Sequence, residues 1–137
     1  MATIGGVPTS AIEDHVADRL RSFSGGATIS TTTRSYADFN GVGTPETVTQ
    51  DTAPMGQYNQ GDCFQDVNGN GSYDLDRGRG GVGGAEDVVH FEVVMSYPRI
   101  VPLDRLLGWD ENITITQNTL LRNQPYAGRT NTSTVVC

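Results

Sequence analysis

Apolar residues recur at Ile12, Val16, Leu20 and Phe23, while Glu13, Asp14, Arg19 and Arg21 occupy positions between them. Steps of three and four put the first set on one face of a helix, so an amphipathic helix is expected over 11–23. Ser10 and Glu13 have the spacing of a capping box, whose two side chains satisfy orphan N–H groups at the helix start. Ser24-Gly25-Gly26 ends the segment. His15 lies beside the apolar stripe and reads as a boundary residue, not a ligand.

The period then changes from helical to alternating. Residues 27–36, ATISTTTRSY, are dense in β-branched side chains and predict a strand with half-exposed, Thr-rich faces. Over 87–97, Val89, Phe91, Val93, Met95 and Tyr97 alternate with Val88, His90, Glu92, Val94 and Ser96, which predicts a strand with one wholly apolar face, stopped by Pro98. Pro102 to Trp109 reads as a short helical turn or hydrophobic cap. A last strand is expected over 112–122, where Ile113 and Ile115 alternate with Thr114 and Thr116. Residues 127–137 are expected to form an irregular polar tail.

Between the first two strands, residues 37–84 show no sustained period and are too long for an ordinary connection. The simplest packing is a single α+β domain over 1–137: one amphipathic helix laid on a small antiparallel sheet of about three to four strands, with a long insertion at 37–84. Gly78 to Gly84, GRGGVGG, lacks the Lys-Ser/Thr ending of a phosphate loop and reads as the flexible return from that insertion.

Within the insertion, Asp66 to Asp76 read DVNGNGSYDLD. A calcium loop of the EF-hand type takes oxygens from its first, third and fifth positions and needs Gly at the sixth. It then takes a carbonyl at the seventh, a ligand at the ninth and a bidentate carboxylate at the twelfth. Counting from Asp66 gives Asp66, Asn68, Asn70, Gly71, the Ser72 carbonyl and Asp74. Arg77 holds the twelfth place and cannot ligate, so Asp76 is the expected substitute, with Glu86 or Asp87 folding back to complete the shell. The expectation is a structural Ca2+ site, standing in for core packing inside the insertion.

Composition narrows the setting. A formal charge of −7 and a pI near 4.5, with no lysine, argue against nucleic acid and anionic membrane surfaces as partners. No apolar run approaches membrane length and no signal-peptide pattern opens the chain, so an exporting or anchoring segment is expected upstream of Met1. Cys63 and Cys137 are the two cysteines; in an oxidising compartment they are expected to pair, tying the tail to the base of the acidic loop.

Enzyme chemistry finds little to stand on. There is no Gly-x-Ser-x-Gly elbow, and His15 and His90 fall on different elements, too few for a zinc site. The pairs Asp74/Asp76 and Glu86/Asp87 sit among glycines with little apolar surface to tune them as glycosidase acids. The triplets at Asn70, Asn112 and Asn131 match the glycosylation pattern as an Asn- and Thr-rich chain does by chance. A non-enzyme is expected.

The stretch HFEVVMSYPRIVPLDRLLGW followed by ITITQNTLLRNQPY resembles the TadE-like family, small pilin-related proteins of the bacterial Tad (Flp) pilus assembly system. The family pattern is a strand leading to Tyr-Pro, a hydrophobic turn, and a Thr-rich strand closing on Arg-Asn-Gln-Pro-Tyr. Here these are Tyr97-Pro98, Pro102-Leu103, Leu106-Leu107-Gly108 and Arg122 to Tyr126. The resemblance is strongest from Cys63 to Tyr126 and looser over the helix and TTTRSY. It implies a pilin-like fold and a minor pilin or pseudopilin, acting in pilus assembly or surface adhesion. By the same resemblance its anchor is an N-terminal transmembrane helix in the inner membrane, its globular part is periplasmic or extracellular, and its partners are other pilins and assembly proteins. The anchor is missing from this chain, since the helix over 12–23 is too polar to span a membrane; either the sequence is the trimmed soluble domain or this member is not anchored. The alternative is a secreted calcium-dependent binding module, an adhesin or carbohydrate-recognition domain, using Tyr73 and Arg77 beside the loop.

Overall fold

In the computed structural model, which describes residues 3–4, 7–23, 25–99, 107–124 and 133–137, the helix predicted near the N-terminus is α1, Thr9–Phe23. The described residues form a small α+β fold with this one α-helix, two antiparallel sheets of four and three strands, and a further pair of two-residue strands. The chain divides into two compact units. One comprises Met1–Thr33 with Phe91–Leu120, the other Arg34–His90 with Leu121–Cys137.

In the first unit, β1 (Thr3–Ile4) and β2 (Val7–Pro8) pair antiparallel just before α1. Pro8 has no N–H to give to a helix, and the helical turns start immediately after it. Ser10 therefore lies inside α1 and not at its cap, and the expected capping box does not form: Glu13 Oε1 instead accepts a hydrogen bond from the Thr33 hydroxyl at 2.5 Å. Ala17 is buried, whereas Ile12, Val16 and Leu20 are half-buried. Glu13 and Ala17 are four residues apart and share a face, so the buried face sits one position off the apolar stripe.

The larger sheet has the order β6-β3-β7-β8, where β3 is Thr28–Tyr36, β6 Arg79–Gly80, β7 Val88–Pro98 and β8 Asn112–Arg122. The strands expected over 27–36, 87–97 and 112–122 are these three long ones. Burial along β7 does not alternate with its apolar and polar positions. Val88 and Val89 are both buried, on opposite faces, and the residues from His90 to Tyr97 are half-buried throughout. Most of the cap expected at 102–109 lies outside the described residues; of its end, Leu107 and Trp109 are exposed, with the Arg99 guanidinium 5.4 Å from the Trp109 ring.

In the second unit the three-stranded sheet has the order β4-β5-β9, from Thr47–Gln50, Cys63–Asp66 and Thr134–Val136. Central β5 pairs Phe64 with Val48 on one side and Val136 on the other. Two expectations are corrected here. The insertion at 37–84 is no bare loop: it contains a 3-10 turn at Phe39–Gly41 and the strands β4, β5 and β6. Residues 134–136 of the expected irregular tail form β9, while 127–132 lie outside the described residues. Strands of two to four residues are too short to display period two, which is why neither was visible. Phe64, Val82, Val88, Val89 and Tyr36 make the buried apolar core of this unit. The Cys63–Cys137 disulfide forms, joining the start of β5 to the residue after β9.

Candidate metal centre

Asp66 ends β5, where its register partner is Thr134 of β9, and it is 3% exposed. Its Oδ1 accepts from the Gly69 N–H at 2.6 Å and its Oδ2 from the Gly71 N–H at 2.8 Å. Both glycines have left-handed backbones, φ 80° and 76°, which side chains with a Cβ resist. Asn68 Oδ1 then accepts from the Asn70 N–H at 3.1 Å and Asn70 Oδ1 from the Ser72 N–H at 2.7 Å. Successive side-chain oxygens at the first, third and fifth positions thus wind the backbone through local turns. Each such oxygen has a second lone pair for a further partner.

Asp74 closes the row. Its Oδ2 accepts from the Nδ2 groups of both Asn68 and Asn70, each at 2.6 Å. Asp66, Asn68, Asn70 and Asp74 therefore surround one small loop, and exposed Ser72 joins it through its main chain.

Asp76 belongs to a different cluster. It forms an ion pair with Arg34 of β3, its Oδ2 accepts from the Tyr36 hydroxyl at 3.1 Å, and its Oδ1 accepts from the Gly78 N–H at 3.1 Å. Burial, with the hydrogen bond to Asp76 and that residue's charge, pushes the Tyr36 hydroxyl above its usual pKa. Gly78 is required beneath that ring, since a Cβ there would lie 2.7 Å from Tyr36 Cζ. Of the residues expected to fold back, Asp87 instead accepts the Gly84 N–H at 2.7 Å, closing the turn before β7. Arg77 donates its N–H to the Thr44 carbonyl at 3.0 Å and sets its guanidinium 3.8 Å from Asp38.

The residue that sequence reasoning missed is Glu46, 2% exposed and twenty positions ahead of the loop. Its Oε1 accepts from the Val67 N–H at 2.8 Å and its Oε2 from the Asp74 N–H at 3.2 Å, spanning the loop from its second position to its ninth. No local pattern points to Glu46, because it sits in an aperiodic stretch just before β4 and its partners are remote.

A second polar loop abuts the first. Asp62, 1% exposed, accepts from the Thr52 N–H and hydroxyl, both at 2.7 Å, and from the Asn59 N–H at 2.8 Å. The Thr52 hydroxyl and then the Thr52 amide hold its pKa below the usual carboxylate value, against the opposing effect of burial. Tyr58 of this loop stacks on Tyr73 at 4.1 Å between ring centroids, and both meet the Phe64 ring edge-on at 5.6 Å. The aromatic trio ties the two loops to the β5 core.

Among the described residues, no salt bridge reaches Glu46, Asp66 or Asp74, and no three His, Cys, Asp or Glu side chains group closely enough to hold a metal by themselves. His15 is exposed and His90 half-buried, on α1 and β7 respectively. No protein-family model, curated protein or solved structure matches this chain.

Proposed function

We propose that this chain is the extracytoplasmic part of a non-enzymatic minor pilin or pseudopilin of a Tad (Flp) pilus, with Ca2+ closing the Asp66–Asp74 loop as a structural ion. The carrying observation is the charge of that loop. Glu46, Asp66 and Asp74 receive only neutral N–H donors, from Val67, Gly69, Gly71, Asp74 and the Asn68 and Asn70 amides. Neutral donors satisfy hydrogen bonds without supplying a countercharge, among the described residues no salt bridge supplies one either, and a divalent cation with oxygen ligands would do so. Asp66, Asn68, Asn70, Asp74 and the Ser72 carbonyl are the groups that would hold it. Asp76 and Glu46 act from outside, Asp76 through Arg34 and Tyr36, Glu46 through the loop's amides. The ion would stiffen a module whose core is small.

The assignment to a pilus rests on the TadE-like residues from Tyr97 to Tyr126, with the α+β architecture and the disulfide in keeping with an oxidising, extracytoplasmic setting. Tyr73 stacks on Tyr58, and Arg77 faces Asp38, so the side chains proposed for a carbohydrate surface are engaged within the chain. The pilus reading is therefore preferred to a binding module. In the source bacterium, deletion of the gene is expected to reduce piliation, with restoration by the wild-type gene and not by the Asp66→Ala/Asp74→Ala form. Normal piliation of the deletion strain contradicts the proposal.

A further inference from the structure

We infer that β8 is a self-pairing edge, through which two copies of this chain join their four-stranded sheets into one continuous antiparallel sheet. A strand at an edge presents unpaired N–H and C=O groups, and natural proteins blunt such edges by keeping them short, bulged or charged. Among the described residues five edges follow that rule: β1, β2 and β6 have 2 residues each, β9 has 3, and β4 has 4 with a register shift between Val48 and Gln50. The sixth does not. β8 has 11 residues and ends the order β6-β3-β7-β8.

Its sequence carries no protection either. From Asn112 to Leu121 it reads NITITQNTLL, without a charge, a proline or a glycine. Every residue of β8 is exposed except half-buried Ile113, and the exposed set includes Ile115, Leu120 and Leu121 at 38%, 44% and 56%. Those apolar side chains lie on both faces of the strand, since Leu120 and Leu121 are adjacent. Charge selects the occupant. In a chain of net charge −7, β8 is neutral as far as Arg122, so an acidic or basic partner finds no complementary charges along it. A second β8 meets a strand of equal length and polarity, with no like charge opposing another.

Symmetry then sets the register. Two identical edges pair about a twofold axis, and an axis perpendicular to the sheet keeps each side chain on its own face. Directly opposite residues of an antiparallel pair share a face. The axis must therefore pass through a residue that faces its own copy, and full overlap makes this Gln117, the midpoint of Asn112–Arg122. Ile113 then faces Leu121, Thr114 faces Leu120, and Asn112 faces Arg122, each pair occurring twice. A single strand pair falls short of the roughly 1,200 Å² buried by stable interfaces, so the dimer is reversible and concentration-dependent.

Sedimentation velocity of the purified chain over a concentration series up to about 1 mM tests this. Wild type is expected to pass from monomer to dimer across the series. Gln117→Lys and Gln117→Glu each set like charges face to face across the axis. Each should raise the dimer dissociation constant roughly fivefold, while an equimolar mixture of the two associates at least as well as wild type. Circular dichroism of the variants is expected to match wild type, because Gln117 is exposed. A wild type that stays monomeric throughout overturns the inference. So do variants that dimerise like wild type, which would place the contact on another surface.

Discussion

Glu46 and Asp74 clasp one another through two hydrogen bonds: the Glu46 N–H donates to the Asp74 carbonyl at 2.9 Å, and the Asp74 N–H donates to Glu46 Oε2 at 3.2 Å. With Oε1 on the Val67 N–H, this buried carboxylate sets the width of the acidic loop from a segment that contains none of its proposed ligands.

Removing that carboxylate leaves the half-buried Val67 and Asp74 N–H groups without acceptors, a loss of about 2 kcal/mol of stability for Glu46→Ala. Glu46→Gln keeps one acceptor oxygen and should lose roughly half as much. Urea denaturation in the presence of chelator measures both without any contribution from a bound ion. A Glu46→Ala variant within about 0.5 kcal/mol of wild type contradicts the role assigned to this residue.

How far the sequence reached follows from where each signal resides. Helix α1 and the strands β3, β7 and β8 were legible because they run for 15, 9, 11 and 11 residues, long enough to show a period. The sheet β4-β5-β9 was not, since its strands are three or four residues long and β9 meets β5 some seventy positions away in the chain. In the loop, the turns that Asp66, Asn68 and Asn70 make with amides two to five positions on depend on local spacing, which the sequence displays. Glu46 was invisible because its partners are set by tertiary packing, and so were the contacts of Asp76 with Arg34 and Tyr36, which come from β3.

The disulfide acts on the same strand that carries Asp66. In the chain-entropy account, a cross-link between Cys63 and Cys137, 74 positions apart, stabilises the fold by about 4 kcal/mol. Cys137→Ser should therefore lower the denaturation midpoint substantially, and non-reducing mass spectrometry of wild type should show the Cys63–Cys137 peptide pair. Two freely alkylated thiols in the native protein contradict this bond.

Acid should loosen the loop over 51–62. The Asp62 pKa is lowered in the fold from an ordinary value of 3.8, so the folded state holds fewer protons than the unfolded one. Its contribution is complete above that value and is lost as pH falls through the depressed folded pKa. Asp62→Asn is expected to melt lower than wild type at neutral pH, with the gap narrowing as pH drops below about 4. A gap that stays constant through the acid range contradicts the assignment.

For the helix, Ala17 and not the apolar stripe marks the tightest position. Ala17→Asp places a charge at a buried site and should destabilise by about 2–3 kcal/mol, while Leu20→Asp, at a half-buried site, should cost about 1 kcal/mol. Equal effects by chemical denaturation contradict the shifted face.

The central claim is that Ca2+ closes the loop held by Asp66, Asn68, Asn70 and Asp74, and calorimetric titration of the chelator-treated protein with Ca2+ tests it most directly. The account predicts saturable binding of one ion per chain, with a rise in thermal midpoint that the Asp66→Ala/Asp74→Ala variant lacks. Absence of binding heat, together with a melting temperature that is the same in excess Ca2+ and in chelator, contradicts it.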